Sequence, residues 1–383
     1  MRTDACVLLI LGALLLSDPG HAVDASDALV AKFNAVCAGA APGSALAARC
    51  TVVLGSADPN ARTHAADFNA LEELPGQGRL AARDLAPDHA VSKQAQRIDL
   101  TPKLALFASV DTARLARTSG GAEAAFDADT FALTAGLDWH PAARWQLGIA
   151  LQHQNERQDF RDSAGRFDAR STGAIATASW QASDNIGLSA YAGGLRGSAD
   201  TLRVVRFIDS STPIAETAHP DTRRALAGFG IDGTLPRGAW ELRYGGGFDW
   251  TRTTADAYVE QGGSGFDLIV PQRQVKTQRA RFDLGIARMV SESWGVWQPQ
   301  VRIGWRHEFA NPARTIGVHF VEDSGGTLVA FDSAAPDRNW AEAALGAAFT
   351  FTHGQSAFVE LRHEFAHGPL RNDTLALGWR IEL

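Results

Sequence analysis

The sequence is poor in several features that define common protein classes. It has only three cysteines in 383 residues, too few for a small disulfide-based scaffold. After residue 20, no apolar run approaches the ~20 positions that a spanning helix needs, which excludes a polytopic helical membrane protein. The net charge is −7 and basic clusters are missing, so we expect no nucleic-acid partner.

Glycine and tryptophan, by contrast, are plentiful. The chain has 37 glycines and ten tryptophans against three tyrosines. Its hydrophobic fraction of 45% and charged fraction of 21% exclude a disordered chain, which would be less apolar and more highly charged. A folded chain rich in glycine and tryptophan is therefore expected.

Residues 1–22 have the layout of a secretory signal peptide. Arg2 supplies a positive charge, Val7 to Leu16 form an apolar core, and Gly20-His21-Ala22 is a small-residue cleavage site. We expect the mature chain to begin near Val23 in an oxidising compartment. The alternative, an N-terminal membrane anchor, would need a longer apolar run.

Residues 23–102 are rich in alanine and predict a short helical segment. Two apolar stripes at helical spacing flank the Ala-Pro-Gly-Ser break at 41–44, with Cys37 on the first and Cys50 on the second. We expect these cysteines to form a disulfide that staples a helical hairpin, with two free buried thiols as the alternative. A polar helix over residues 87–97 lacks a continuous apolar face and suits partly aqueous surroundings.

From residue 103 to 383 the hydrophobic period changes to two. Between Trp240 and Trp250 every second residue is apolar or glycine, and the intervening residues include Glu241, Arg243 and Asp249. Twelve segments share this alternating pattern, and most are long enough to cross a bilayer as a tilted strand of ~9–11 residues. The predicted strands cover residues 103–117, 127–139, 145–160, 168–180, 185–199, 221–234, 238–254, 275–290, 296–310, 339–352, 356–366 and 373–383.

The connections between these strands alternate in length. Every second one is a tight turn, such as 181–184 or 236–238, whereas the connections 199–220, 255–274 and 311–338 are long and polar. Short turns at one end and long loops at the other are typical of an outer-membrane barrel. The sequence therefore predicts an all-β membrane barrel of about twelve antiparallel strands, closed because hydrocarbon tolerates no unpaired strand edge.

The tryptophans cluster at one level of this barrel, near the short turns. A periplasmic aromatic girdle at the membrane interface explains that clustering. The alternative fold, a soluble β-sandwich, predicts neither the clustering nor the alternation of loop length. The predicted girdle consists of Trp139, Trp145, Trp180, Trp240, Trp294, Trp297 and Trp379.

The polar face of the strands is expected to line the lumen. Arginine and carboxylate side chains there would pair across the lumen, keep it wet and grip a helix inside it. The predicted lumen-facing charges are Glu241, Arg243, Asp249, Arg302, Arg306, Glu308, Glu360, Arg362 and Arg380.

Residues 103–383 resemble the translocator β-domain of autotransporters, the type V secretion proteins. The resemblance lies in Phe126–Phe131 followed by Ala135–Asp138, in Ser293–Pro299 leading into Trp305–Phe309, in Ser356–Val359 and in the terminal Thr374–Leu383. It implies a twelve-stranded barrel inserted by the barrel-assembly machinery after passage through the inner-membrane secretion channel. It also implies a pore helix, for which residues 87–97 stand in the right place, and a passenger delivered to the cell surface.

Two features depart from the family. The region before the barrel is far shorter than a typical passenger and lacks the Asn-Asn cleavage pair of some relatives. The last residue is Leu383, where the family usually ends in Phe. We expect a monomeric translocator in the Gram-negative outer membrane, in contact with its lipid, with the N-terminal segment in the periplasm, in the pore or at the surface. The alternatives are a plugged passive channel that exports nothing and a barrel-embedded hydrolase.

Three motifs suggest chemistry that their context does not support. His363-Glu-Phe-Ala-His367 matches the zinc-protease pattern, but on a strand the two histidines lie roughly 13 Å apart. Gly228–Gly233 fits a phosphate-loop pattern with no helix after it, so it predicts a strand with inward glycines. Nothing brings Ser189 and His153 together as a nucleophile and its base. We therefore expect no catalytic residues, metal or cofactor.

Overall fold

The computed structural model describes residues 34–55, 104–118, 125–161, 165–205, 213–310, 315–332, 337–352 and 354–382. The predicted signal peptide, the predicted helix over 87–97 and Leu383 lie outside these residues. Two short helices, α1 over 34–39 and α2 over Ala45–Gly55, precede the strands. In the part of the chain described, neither is long and apolar enough to span a membrane.

Eighteen strands follow in the described residues. Their bounds are β1 Leu104–Arg117, β2 Phe126–Ala142, β3 Trp145–Phe160, β4 Gly165–Ser183, β5 Ile186–Val205, β6 Ile214–Ala218, β7 Asp221–Arg237, β8 Trp240–Ala255, β9 Tyr258–Val259, β10 Leu268–Val270, β11 Arg273–Arg288, β12 Val290–Glu292, β13 Gly295–Glu308, β14 Thr315–Phe320, β15 Val329–Asp332, β16 Asn339–Phe351, β17 Gln355–Phe365 and β18 Leu370–Glu382.

Twelve of these strands close into one antiparallel barrel. Its order is β1, β2, β3, β4, β5, β7, β8, β11, β13, β16, β17 and β18, and pairing of β1 with β18 from Ala105–Glu382 to Arg117–Leu370 completes the ring. Closure leaves no strand edge exposed to hydrocarbon. The predicted all-β barrel of twelve antiparallel strands is confirmed.

The two faces of the barrel wall differ in polarity. On β13, Val301, Ile303 and Trp305 are exposed on the outer face, while Arg306 and Glu308 are buried on the inner face. The same alternation follows each strand because successive side chains of a strand point to opposite faces. Apolar side chains that are exposed to the surroundings in a continuous band match a lipid-facing surface.

The long connections are more structured than polar loops. Strands β9, β10, β14 and β15, which lie in the connections 255–274 and 311–338, form a separate four-stranded sheet. Strand β6, in the connection 199–220, extends the hairpin from β5. The prediction that all three connections are loops is therefore wrong for these segments. The difference arises because these strands are short, and because one of their pairings, β10 with β14, joins two separate connections.

Placing a charge on the outer face tests whether that face meets lipid. We expect Ile303→Arg to lower the stability of the vesicle-inserted barrel by about 2–4 kcal/mol, the cost of arginine near the bilayer midplane. Val321→Arg is the matched control, because Val321 is also exposed but lies in a long connection. The measurement is reversible urea unfolding in lipid vesicles. Equal effects at both positions would contradict a lipid-facing band.

Candidate functional site

Charged side chains on the inner face pair with one another between neighbouring strands. Arg306 Nη2 lies 2.8 Å from Asp283 Oδ1 and 3.2 Å from Glu342 Oε1. These three residues come from β13, β11 and β16, and Glu342 is only 1% exposed. On the inner face, the Arg306 guanidinium is thus held between the carboxylates of Asp283 and Glu342.

The same cluster continues onto β17. Arg302 Nη2 lies 2.8 Å from Glu360 Oε1, and Arg362 Nη2 lies 2.9 Å from the same atom. Together with Arg306, Asp283 and Glu342, these residues balance three guanidinium groups against three carboxylates. The cluster is therefore electrically compensated within the wall.

The remaining predicted lumen charges also have partners on the inner face. Arg243 contacts Glu241 at 2.7 Å and donates to Gln298 Oε1 at 2.6 Å. Arg380 Nη1 lies 3.2 Å from Asp138 Oδ2. Asp249 Oδ1 accepts a 2.7 Å hydrogen bond from the Tyr191 hydroxyl, and Glu308 Oε1 accepts one of 2.7 Å from the Gln278 amide. All nine of these side chains lie on the inner face, and none of the hydrogen bonds requires a group outside the wall.

The seven predicted girdle tryptophans lie on the outer face near the short turns. Trp145 stacks on Trp180 with ring centroids 6.0 Å apart, and Trp379 stacks on Phe351 at 5.7 Å. Six of the seven are among the exposed large hydrophobic side chains, and Trp297 is half-buried. This arrangement has the geometry of an interfacial aromatic belt.

At the opposite end, the N-terminal hairpin packs on the structured long connections. A disulfide joins Cys37 of α1 to Cys50 of α2. Val36, Leu46 and Cys50 are buried in one apolar cluster with residues from all three long connections. The barrel-side members of this cluster are Ile214, Phe266, Leu268, Val270, Val318, Phe320 and Val329. We call this contact the hairpin dock.

Backbone and helix-end contacts fix the orientation of the hairpin in the dock. The Leu46 amide in the first turn of α2 donates a 2.7 Å hydrogen bond to Glu322 Oε2. A carboxylate at that position satisfies an otherwise unpaired amide and complements the helix dipole. The Ala41 amide donates to the Glu322 carbonyl at 3.1 Å, and the Ser324 amide donates to the Gly39 carbonyl at 3.0 Å. The dock is therefore directional as well as apolar.

One glycine permits the closest backbone approach. A Cβ on Gly265 would lie 2.3 Å from the Leu46 amide nitrogen and 2.5 Å from the Ala45 carbonyl carbon. Gly265 also has a φ of 88°, which side-chain-bearing residues rarely adopt. The connection between β8 and β11 is thus shaped to receive α2.

Two buried carboxyl groups lie in and beside this connection. Glu216 of β6 accepts a hydrogen bond from the Ser264 hydroxyl and is hydrogen-bonded to Asp267, which is also buried. Burial, followed by Asp267, raises the pKa of Glu216 to about 7. The buried ion pair of Arg203 and Glu260 lies nearby, and the positive charge of Arg203 partly offsets the rise in the pKa of Glu216.

Sequence reasoning missed the barrel side of the dock. The signal was present in Phe266, Leu268 and Val270 and again in Ile316, Val318 and Phe320, which alternate with other residues as strands do. These runs are too short to stand out within connections that are otherwise polar. Glu322 carries no local signal, since its partner Leu46 is 276 positions away.

The motifs considered in the sequence lie on barrel strands except at one residue: β17 ends at Phe365, so His367 follows the strand and stacks on Trp340 with ring centroids 4.3 Å apart. His363 Nδ1 is 2.6 Å from Asp373 Oδ1, and no group of three possible metal ligands occurs in the described residues. His153 pairs with Thr172 of β4, and Ser189 of β5 pairs with Ser179, seven residues farther along β4, so His153 and Ser189 are more than about 23 Å apart.

The glycines of the phosphate-loop pattern do not all point inward. Gly228–Gly233 lies inside β7 without a following helix. Gly228 lies against the inward Tyr191 ring, but Gly233 lies on the outer face beneath the Tyr244 ring, 2.1 Å from where a Cβ would be. The prediction of inward glycines is therefore wrong for Gly233, since its odd position in β7 matches exposed Phe229 and Ile231.

Removing one carboxylate tests the luminal cluster. We expect Glu342→Gln to lower the free energy of unfolding by about 3 kcal/mol, because buried arginines lose a charged partner. Glu382→Gln, at an exposed position of β18, should change it little. Both are measured by urea unfolding of the refolded barrel. Equal stability of the two variants would show that the cluster is solvated and contributes nothing.

The Glu216–Asp267 contact predicts that the dock weakens as pH rises. The raised pKa of Glu216 means that its stabilising contribution is complete below about pH 4.5 and is lost as pH rises through about 7. We expect a phosphine reductant to cleave Cys37–Cys50 severalfold faster at pH 8 than at pH 5. Glu216→Gln should abolish most of that difference. An unchanged pH dependence in this variant would contradict the prediction.

The barrel is similar to one family model and to several solved structures. A family model described as the autotransporter beta-domain matches residues 106–362. The translocator domain of autotransporter NalP from Neisseria meningitidis has 16% identity and a TM-score of 0.55, covering 77% of this chain and 92% of that one. The β domain of the Bordetella autotransporter BrkA has 15% identity and a TM-score of 0.54, covering 73% and 100%.

A third solved structure is similar at the same level. The transport unit of the autotransporter AIDA-I from Escherichia coli has 15% identity and a TM-score of 0.50, covering 75% of this chain and 92% of that one. No curated protein gives a significant match. At sequence identities this low, the structural similarity shows a shared barrel fold and nothing further.

Proposed function

The chain belongs to the autotransporter β-domain family, and from that premise we propose that it exports its own N-terminal segment and displays the disulfide-bonded hairpin at the cell surface. The barrel is the outer-membrane translocator and anchor. The proposed mechanism is transport and anchoring of this segment, with no catalysed reaction.

The observation that carries this proposal is the position of the hairpin relative to the start of the barrel. Strand β1 begins at the short-turn end, where Leu104 pairs with Trp139. The hairpin over 34–55 lies at the other end, on the long connections. In an outer-membrane barrel the short turns are periplasmic and the long loops are extracellular. The position of the hairpin on the long loops therefore supports the proposal that this segment crosses the membrane.

The chain between the hairpin and β1 is long enough for this crossing. Residues 56–103 would span about 70 Å even at the 1.5 Å rise of a helix, more than the roughly 40–45 Å of a whole bilayer. We propose that this stretch, including the predicted helix over 87–97, runs through the lumen. The compensated charges of the inner wall would offer it a polar surface without one dominant sign.

Display also explains why a short segment would be retained rather than released. The dock buries Val36 and Leu46 completely and adds directional contacts from Glu322 and Ser324. A plugged passive channel without export would have no use for a matching surface on the extracellular connections. The disulfide, which keeps α1 and α2 together, would preserve the docking face in the oxidising surroundings.

Epitope accessibility in intact cells tests display. We expect a short tag inserted between Pro42 and Gly43, both exposed, to be cleaved by external protease and bound by antibody without permeabilisation. The reason is that the turn between α1 and α2 faces the medium when the hairpin is docked.

The same tag inserted between Gly238 and Ala239 is the matched control. This site is an exposed short turn at the periplasmic end and should become accessible only after permeabilisation. A hairpin tag that is protected in intact cells, while the barrel is folded and heat-modifiable, would refute display and favour the passive channel.

A further inference from the structure

A row of basic side chains crosses the outer face of one side of the barrel near the long-loop end. Arg196 of β5 is directly opposite Arg223 of β7, and Arg252 of β8 is directly opposite Lys276 of β11. Thr254, the cross-strand partner of Arg223, lies two residues from Arg252, so the two pairs adjoin. All four basic side chains are exposed. We call them the basic ledge.

The ledge lies where the lipid-facing band ends. Each member is ten to fourteen residues from the short-turn end of its strand, which is Ile186, Arg237, Trp240 or Arg288. At ~3.3 Å per residue and a tilt of roughly 40°, this is about 25–35 Å from the turns, at the upper edge of an apolar band about 25 Å tall. Exposed Phe229 and Phe282 lie on the membrane side of it.

Like charges in directly opposed positions are unfavourable by themselves. Cross-strand partners have Cβ atoms about 5 Å apart, and like charges there destabilise a sheet. The positive charge of Arg223 is partly compensated by an ion pair with Asp256. In the part of the chain described, Arg196, Arg252 and Lys276 make no ion pair. Their juxtaposition therefore indicates an external anion.

The neighbouring strands β1 to β4 show that the fold does not require this arrangement. There the directly opposed residues alternate in sign: Arg114 faces Asp129, Asp129 faces Arg157, and Arg157 faces Asp168. That series lies on β1 to β4 at a similar level, and its charges are compensated between strands. At the end of this series Asp168 faces Asp200, whose carboxylate contacts His219. On the outer face of the described strands, directly opposed pairs of basic side chains occur only between β5 and β7 and between β8 and β11.

We propose that the basic ledge binds the phosphate groups of a phosphorylated lipid in the outer leaflet. Two cationic side chains about 5 Å apart can contact one phosphate together, and guanidinium groups bind phosphate in a bidentate manner. The apolar band directly below would contact the acyl chains of the same lipid. A soluble anion would use only the ledge, so the position at the edge of the band favours a lipid. This inference rests on the long loops being extracellular and is independent of hairpin export.

The test compares two charge-removing variants of the full chain refolded in a neutral detergent. Arg196→Gln with Lys276→Gln removes one member of each like-charge pair and leaves the Arg223–Asp256 ion pair intact. Arg114→Gln with Arg157→Gln removes the same charge from the alternating series and is the matched control. Native mass spectrometry measures binding of lipid A, a bisphosphorylated glycolipid, and of its monophosphorylated form.

We expect the ledge variant to bind lipid A about twentyfold more weakly than the wild type, since each basic side chain near an anionic lipid surface contributes roughly a factor of five. The control variant should bind like the wild type. The monophosphorylated form should bind more weakly than lipid A to the wild type and show a smaller difference between wild type and ledge variant.

Thermal unfolding in lipid-free detergent is a second measurement, in which the two variants are expected to differ from the wild type in the opposite order to lipid binding. The ledge variant should unfold at a temperature no lower than the wild type, because it loses repulsion, whereas the control should unfold earlier. Lipid A should raise the unfolding temperature of the wild type, and inorganic phosphate at equal concentration should not.

Unchanged lipid A binding by the ledge variant, or an equal loss in the control, would overturn the proposal. Equal protection by inorganic phosphate would replace the lipid with a soluble anion and would also overturn it. If the double variant does not refold, Arg252→Gln alone removes one like-charge contact and is measured in the same way.

Discussion

The structure depends on the need of every backbone amide in hydrocarbon for a hydrogen-bond partner. An open sheet would leave the edges of β1 and β18 unpaired, at several kcal/mol for each amide. Their pairing along thirteen residue pairs closes the ring and removes that penalty. Closure also divides all side chains into two sets, one facing lipid and one facing the lumen. The positions of the girdle, the luminal cluster and the basic ledge all follow from this division.

Much of the barrel could be predicted from local pattern because the strand period is short. The two-residue alternation around Trp240–Trp250 shows which side chains share a face without any knowledge of neighbouring strands. The pairing partners could not be predicted in the same way. That Arg306 lies between Asp283 and Glu342 depends on the register of three strands, and a shift of one residue would send these groups to opposite faces.

The hairpin dock lay beyond sequence reasoning for a different reason. The cysteine spacing around the break at 41–44 indicates a stapled hairpin, but not the surface on which the hairpin packs. That surface is assembled from β6, β10, β14 and β15, which come from three separate connections and have few residues each. Their burial becomes favourable only when the connections and hairpin meet, so no single segment shows a strong amphipathic pattern.

The two ends of the barrel consequently use apolar side chains in different ways. At the short turns, tryptophans remain exposed on the outer face, where an interfacial environment accommodates both the ring and its N–H group. At the long connections, Phe266 and Phe320 contact each other and are buried in the hairpin dock with residues of α1 and α2. Without the hairpin, that apolar surface would face water, and its burial would have to come from another partner. This apolar surface holds the hairpin on the long connections, a contact that a simple conduit would not require.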